Sequence, residues 1–306
     1  MLVFAASDKG GTGRSVTSAN LAYHRALDGD DVCYLDFDFG SPTAPAVFDL
    51  PDVLAEAEGK GLHSYLKGKT GEPLRVDVWA RTEHPVLRTR PSGSGRLVLL
   101  PGDRTGGEFV TDEENLHRCV DLVLRLKREF DVIVVDLSAG RSYAMDLALA
   151  ATVPRSALAR ITTRWLVYHR WTRQHVMAAA ELVTGKQGIV RAGVAMGHDE
   201  TALSGSIRFV RAAVPDLQSP LWSQARPEQS VWMHERDRQL ESMAAGLGIG
   251  KTRALASIPL EPVLQWREQL ITYEDVVDSR VANLETWQAM GDLAQRLGDD
   301  KYWGQL

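Results

Sequence analysis

A glycine-rich loop near the start of the chain has the residue types of a phosphate-binding site. An apolar run ends at Ser7, the glycines follow, and helical spacing of apolar residues begins at Ser15. Backbone N–H groups at a helix N-terminus point at an anion, and glycine leaves no Cβ between the backbone and a phosphate. We therefore predict that the loop binds a nucleotide through Lys9, Gly10, Gly11, Thr12, Gly13, Arg14, Ser15 and Val16.

Carboxylates follow two buried strands predicted further along the chain. Asp36 and Asp38 end the first of these strands, at a spacing that puts both on one side of an extended chain. Asp136 ends the second, after four consecutive aliphatic residues. The carboxyl ends of parallel strands face the ligand crevice of an open α/β sheet. In phosphate-loop enzymes such an acid holds Mg²⁺ beside the loop Ser or Thr, so Asp136 and Ser15 are predicted to form a metal site.

Strands alternate with helices along the chain, which predicts an α/β fold with a doubly wound, mostly parallel sheet and helices on both faces. We interpret residues 1–306 as a single domain, with elaborations at about 44–95 and 198–250, the second of them helical. The predicted strands cover 2–6, 31–36, 76–79, 96–100, 130–136, 156–163, 189–196 and 253–258. The predicted helices cover 15–27, 112–129, 142–151, 165–183 and 281–297.

Composition limits the class of protein. The 306 residues are 44% hydrophobic and carry a net charge of -5, which argues against a protein that coats nucleic acid with its whole surface. No apolar run approaches the roughly 20 residues that span a bilayer. Asp8 and Lys9 cut the first apolar run short, so it does not have the form of a signal peptide. We expect a cytoplasmic protein in which the two cysteines are reduced and buried.

The loop does not fit the general pattern G-x-x-x-x-G-K-[ST], but it fits the variant K-G-G-x-G-K-[ST] at every position except Arg14. It therefore resembles the deviant Walker A loop of the ParA/MinD family of ATPases. Four later segments are also similar to that family. They are 36–40, which resembles switch I; 136–140, similar to switch II but with Ser138 for proline; 161–164, which resembles a strand ending T-x-P; and 258–261, which resembles I-P-x-D beside the base.

The resemblance implies a role for each matched residue. Lys9 would reach across a homodimer to the partner's ATP, and Ser15 would ligate Mg²⁺. Asp38 would orient the attacking water, Asp36 would lie near the metal, and Asp136 would support the metal site. Pro259 would lie beside the base. The implied function is a nucleotide-dependent dimerisation switch that hydrolyses ATP, with Mg²⁺ as cofactor, and positions or assembles a protein partner or cargo.

Arg14 keeps two alternatives open. Its guanidinium is broad and planar where lysine offers a compact point charge, so we expect weak ATP hydrolysis to ADP and phosphate. One alternative is a scaffold that binds ATP without hydrolysing it. The other, from a different class, is a metabolic P-loop ligase or kinase whose acids serve a small substrate.

The surface gives two indications about partners. Five arginines and no acid lie between Pro154 and His175, with Arg170 and Arg173 predicted on one helix face. A helix face exposed to solvent explains the arginines of Arg155–Arg173 slightly better than a binding site for an anionic partner does. The alternative is that these arginines bind nonspecific DNA. The acids of the last helix argue against membrane attachment.

Overall fold

A parallel sheet forms the centre of the protein in a computed structural model that describes residues 1–217, 219 and 225–304. Its strands are β1 (Leu2–Ala6), β2 (Val32–Phe37), β3 (Val76–Asp77), β4 (Leu97–Leu100), β5 (Val132–Leu137), β6 (Thr163–Arg170), β7 (Ile207–Val214) and β8 (Ala254–Pro259). The order across the sheet is β3-β4-β2-β5-β1-β6-β7-β8, and each neighbouring pair is parallel except β3 with β4. This confirms the predicted α/β class.

Helices cover both faces of the sheet, as predicted. They are α1 (Arg14–Leu27), α2 (Ala44–Val47), α3 (Val53–Glu56), α4 (Leu62–Leu66), α5 (Val78–Arg81), α6 (Glu113–Leu126), α7 (Tyr143–Ala151), α8 (Arg173–Thr184), α9 (Ile189–Met196), α10 (Glu200–Gly205), α11 (Pro227–Gly246), α12 (Tyr273–Val277) and α13 (Leu284–Gly298). Alternate residues of β1 belong to two apolar clusters, one containing α1 and α13 and the other α6 to α9. Side chains alternate across a strand, so these clusters lie on opposite faces.

The central strands bring the predicted site residues to one edge of the sheet. Every residue of β1, β2 and β5 is buried, which explains their continuous apolar runs. In the register, Ala5 of β1 and Asp36 of β2 both lie beside Asp136 of β5. The glycine loop, the end of β2 and the end of β5 are therefore neighbours.

The prediction for residues 156–183 is wrong in its boundaries. The strand is β6, from Thr163, and residues 157–160 form a 3₁₀ turn, while the helix α8 starts only at Arg173. The segment from Trp165 to Tyr168 is buried because β6 lies between β1 and β7. A continuous apolar run fits a strand buried on both faces as well as it fits a helix, so the prediction of a helix for the segment from Trp165 to Tyr168 is wrong.

Two further segments differ from the prediction. Residues 189–196 form the helix α9 rather than a strand. Gly193 lets α9 pack closely on α10, since a Cβ at this position would lie only 2.4 Å from Leu203 Cδ2. The 198–250 segment, predicted to be helical, contains strand β7, and its residues 218 and 220–224 lie outside the described part. Of the predicted strand 76–79, only Val76 and Asp77 are extended, and α5 follows directly.

The helices of the described residues include none that is both long enough and apolar enough to cross a membrane. The 44–95 segment carries α2 to α5 and the short antiparallel edge strand β3. Its apolar residues join the clusters on the sheet, so it packs against the same core as the central strands.

The packing of α1 on α13 predicts a loss of stability in acid. His24 of α1 is buried with its ring 4.2 Å from that of Trp287, and this burial lowers the pKa of His24 to about 4. The unfolded chain takes up a proton near pH 6.5, so this contribution is complete above pH 6.5 and is lost as the pH falls toward 4. At pH 5 we expect a loss of about 2 kcal/mol from this group.

Urea unfolding at pH 7.5 and pH 5 measures this effect. The difference between the two pH values should shrink by about 2 kcal/mol in His24→Leu. It should stay nearly unchanged in the control His117→Ala, because that imidazole is 77% exposed. Equal pH dependence in the His24 variant and the wild type would contradict the assignment.

Candidate functional site

The glycine loop connects β1 to α1 and takes a conformation that requires glycine. Gly11 and Gly13 have φ angles of 70° and 79°, which lie in the left-handed region that other residues rarely adopt. Gly13 is the residue before α1, and none of the described side chains caps this helix start. The first turn of α1 carries no acid. Its free N–H groups are thus available to an anion.

A cavity of about 490 Å³ lies against this loop. Ser41 and Thr43 from the loop after β2, the carboxyl ends of β6, β7 and β8, and residues after β8 contribute to its walls. The predicted residues that line it are Lys9, Gly10, Gly11, Thr12, Gly13, Arg14, Ser15, Val16, Asp38 and Pro259. Asp36 and Asp136 lie behind this wall, both fully buried. The structure therefore brings most of the predicted site around one cavity.

Arg14 makes the most extensive polar contacts described at this site. Its side chain is 5% exposed and donates from Nε to Asp136 Oδ1 at 2.5 Å and from Nη2 to Asp38 Oδ2 at 2.7 Å. Nη1 and Nη2 lie 3.3 Å from the hydroxyls of Ser7 and Ser15. Burial alone lowers the pKa of Arg14, but Asp136 and Asp38 outweigh it and raise that pKa above its ordinary value. The guanidinium stays charged and joins the ends of two strands.

Asp36 holds the switch-like loop that follows β2. One carboxylate oxygen accepts from the N–H of Asp38 at 3.2 Å, and the other accepts from the N–H of Ala44 at 3.0 Å. Burial, and then the nearby Asp136, raise the pKa of Asp36 well above its usual range. Burial also raises the pKa of Asp38, and Arg14 opposes that rise. The contacts of Asp36 are therefore structural, and its proximity to a metal stays a prediction.

The predicted Mg²⁺ site does not fit the metal while Arg14 keeps this position. Hydroxyl and carboxylate oxygens such as those of Ser15, Asp38 and Asp136 are the ligand types that Mg²⁺ prefers. However, the guanidinium lies between the two carboxylates and already supplies a positive charge. In the described part of the chain, no group of three or more His, Cys, Asp or Glu residues is arranged to hold a metal.

Lys9 and Arg170 are the other cations at the cavity. Lys9 is partly exposed, and among the described residues its ammonium makes no hydrogen bond or ion pair. Arg170 ends β6, and its nearest described acceptor is Gln265 Oε1, at 3.5 Å. Burial lowers the pKa of His175, and the charges of Arg170 and Lys9 lower it further. Sequence reasoning missed Arg170 as a site residue because it assigned β6 to a helix.

The arginines between 155 and 173 do not form one surface. Arg164 is buried at the start of β6 and ion-paired with Asp300, whereas Arg170 ends the same strand, roughly 20 Å away at the rise of a β-strand. Arg155 and Arg160 are exposed and precede β6, and Arg173 begins α8. The prediction that Arg170 and Arg173 share a helix face is therefore wrong. The T-x-P-like segment 161–164 lies at the end of β6 remote from the cavity, so that assignment is wrong too.

Comparison with known proteins agrees with this geometry. No family model matches the chain. The septum site-determining protein MinD of Bacillus subtilis (strain 168) is 28% identical over 173 residues, which are 52% of this chain and 55% of that protein. The chain therefore aligns with about half the length of this curated relative.

Three solved structures share the fold over nearly the whole chain. MinD of Pyrococcus horikoshii OT3, complexed with Mg-ADP, has a TM-score of 0.54 at 17% identity, over 97% of this chain and 95% of that one. A plasmid partition protein of Borrelia burgdorferi B31 bound to AMPPNP has a TM-score of 0.59 at 14% identity, over 97% of each chain. The pNOB8 ParA bound to nonspecific DNA has a TM-score of 0.57 at 16% identity, over 98% and 99%.

The fold and the glycine loop define a P-loop protein of the doubly wound α/β class. The match to MinD over about half of the chain, the K-G-G-x-G-x-S loop and the shared fold together support the ParA/MinD family.

Proposed function

We propose that the chain binds ATP in the cavity beside the glycine loop and uses it as a switch for homodimerisation, through which it positions or assembles a protein partner. The position of Lys9 carries the proposal: Lys9 lines the same cavity as the glycine loop and the start of α1, and within the described part of the chain its ammonium has no partner. A cation that makes no hydrogen bond or ion pair with the described residues is available to a phosphate held by a second copy. MinD and ParA proteins share the fold, which supports the choice of nucleotide.

Different residues of the cavity would bind the phosphates, the base and the attacking water. The N–H groups of 10–16 would hold the phosphates, since no side chain that the structure describes caps the start of α1. Pro259, with Leu264 and Gln265 beside it, would contact the base at the other side of the cavity. Asp38 would orient water for hydrolysis, but it is ion-paired with Arg14. We therefore expect slow turnover, and the Arg14–Asp38 pair favours the non-hydrolysing scaffold as the second candidate.

Light scattering tests the dimerisation switch. The 33.8 kDa chain should roughly double in mass with ATP and stay monomeric with ADP or without nucleotide. A mass that does not respond to ATP would overturn the proposal. Phosphate release separates a slow ATPase from a scaffold, and turnover that depends on a small metabolite, without a mass change, would indicate a ligase or kinase.

Nonspecific DNA is a further proposed partner. Arg155 and Arg160 are exposed before β6, and Arg173 is exposed after it. These residues lie toward opposite ends of one strand, so a duplex would contact one group rather than a continuous stripe. The fold that the chain shares with pNOB8 ParA bound to nonspecific DNA supports a test by fluorescence anisotropy with a random duplex. Cytoplasmic residence stays a prediction.

A further inference from the structure

The position of Arg14 raises the question of which cation this site uses. The guanidinium lies between Asp136 and Asp38, with the Ser15 hydroxyl 3.3 Å from Nη2. These three residues carry the oxygen donors that a divalent metal would use. The side chain that stands at the lysine position of the loop thus occupies the place predicted for the metal.

The contacts hold Arg14 in this place. Asp136 is 1% exposed, and one of its oxygens, Oδ2, is buried without a hydrogen-bond partner among the described residues. If Arg14 turned away, the buried carboxylate would lose its counter-ion, which is strongly unfavourable. Movement of the guanidinium into the cavity is therefore opposed by the charge that it would leave behind.

One N–H group of the Arg14 guanidinium has no acceptor among the described residues. It carries five N–H groups. Four of them serve the acceptors Asp136, Asp38, Ser7 and Ser15. The remaining N–H, on Nη1, has no acceptor among the described residues, and Arg14 is one of the residues that line the cavity. A phosphate oxygen beside the loop would supply that acceptor, as a charge-assisted hydrogen bond.

We propose that Arg14 is a built-in cation that takes the place of the divalent metal, so that the chain binds nucleotide without Mg²⁺. The proposal rests on the nucleotide site proposed above. A P-loop protein with lysine at the position of Arg14 would, by contrast, still need the metal. A lysine ammonium is a single point of charge and does not bridge two carboxylates as a planar guanidinium does.

The first experiment measures the affinity for a fluorescent ATP analogue in Mg²⁺ and in excess EDTA. The wild-type affinities should agree within about twofold, whereas Arg14→Lys should bind about tenfold more weakly in EDTA than in Mg²⁺. The control Arg128→Lys, at an exposed arginine after α6 that does not line the cavity, should behave as the wild type. A wild type that loses about tenfold or more in EDTA would overturn the inference.

The second experiment needs no nucleotide. Mn²⁺ titrated into the free protein and followed by electron paramagnetic resonance should bind Arg14→Gln at least about tenfold more tightly than the wild type, because the carboxylates are then unpaired. Circular dichroism checks that the variant is folded, and Arg14→Lys replaces it if it is not. Equal Mn²⁺ affinities would overturn the inference. Absence of nucleotide binding in both buffers would overturn the proposed function instead, and the Mn²⁺ titration would still decide the role of Arg14.

Discussion

Replacing Arg14 with methionine should lower the free energy of unfolding by about 3–5 kcal/mol, the usual cost of removing one partner from a buried ion pair. Asp136 is 1% exposed and has Arg14 as its described side-chain partner. Asp38 is 18% exposed and keeps some contact with water, so Asp136 carries most of the effect. Urea unfolding at pH 7.5, followed by circular dichroism, measures the change.

A double variant distinguishes two causes of the lost stability, the unpaired buried charge of Asp136 and the lost packing of the Arg14 side chain. Arg14→Met combined with Asp136→Asn should recover much of the loss, because an amide costs less to bury than an unpaired carboxylate. The control is Arg75→Met, which breaks the ion pair with Glu129 at a distance of 2.9 Å between partly exposed groups, and its cost should stay below about 1 kcal/mol. If the single and double variants were equally destabilised, the ion pair would not be the cause.

The sequence predicted the part of the fold that surrounds the cavity. The strands β1, β2 and β5 are apolar runs, interrupted only by an acid near the end of β2 and of β5, because they are buried on both faces, and this pattern is visible without any knowledge of the fold. The glycine loop and the acids at the strand ends followed from the same pattern. Local information was sufficient there.

Strand β8 agrees with the predicted strand 253–258, but β7 could not be predicted because its polar residues have distant partners. The run that forms β7 is interrupted by Arg208 and Arg211, yet both are buried. Arg208 donates to the carbonyls of Tyr302 and Gly304, and Arg211 pairs with Glu241. Those partners are far away in the sequence, so the pattern of β7 does not read as a strand.

The contacts of Arg14 could not be predicted for a similar reason. The sequence shows an arginine in place of the lysine, which suggests a change in phosphate contacts. Whether the guanidinium points at the cavity or at the strand ends depends on the position of Asp136, 122 residues further along the chain. The registers of β5 with β1 and with β2 set that position.

Lys9→Ala should abolish the ATP-dependent change in mass and leave the protein as stable as the wild type. The ammonium makes no hydrogen bond or ion pair with the described residues, so its removal should change the free energy of unfolding by no more than about 0.5 kcal/mol. The charge is needed only where a second copy brings a phosphate to it. Light scattering with ATP measures the dimer, and urea unfolding measures the stability.

The affinity of the monomer decides whether Lys9 acts within its own chain or across the dimer. A lysine that contacts the partner's nucleotide contributes nothing to the first binding step, so Lys9→Ala should keep its affinity for ATP within about threefold of the wild type below the concentration at which dimers form. The control Lys186→Ala, at an exposed lysine of the loop after α8, should dimerise normally. Loss of affinity together with loss of the dimer would assign Lys9 to its own cavity. A variant that still doubles in mass would exclude Lys9 from the switch. Lys9 is the candidate because the other described cation of the glycine loop, Arg14, is held by Asp136 and Asp38.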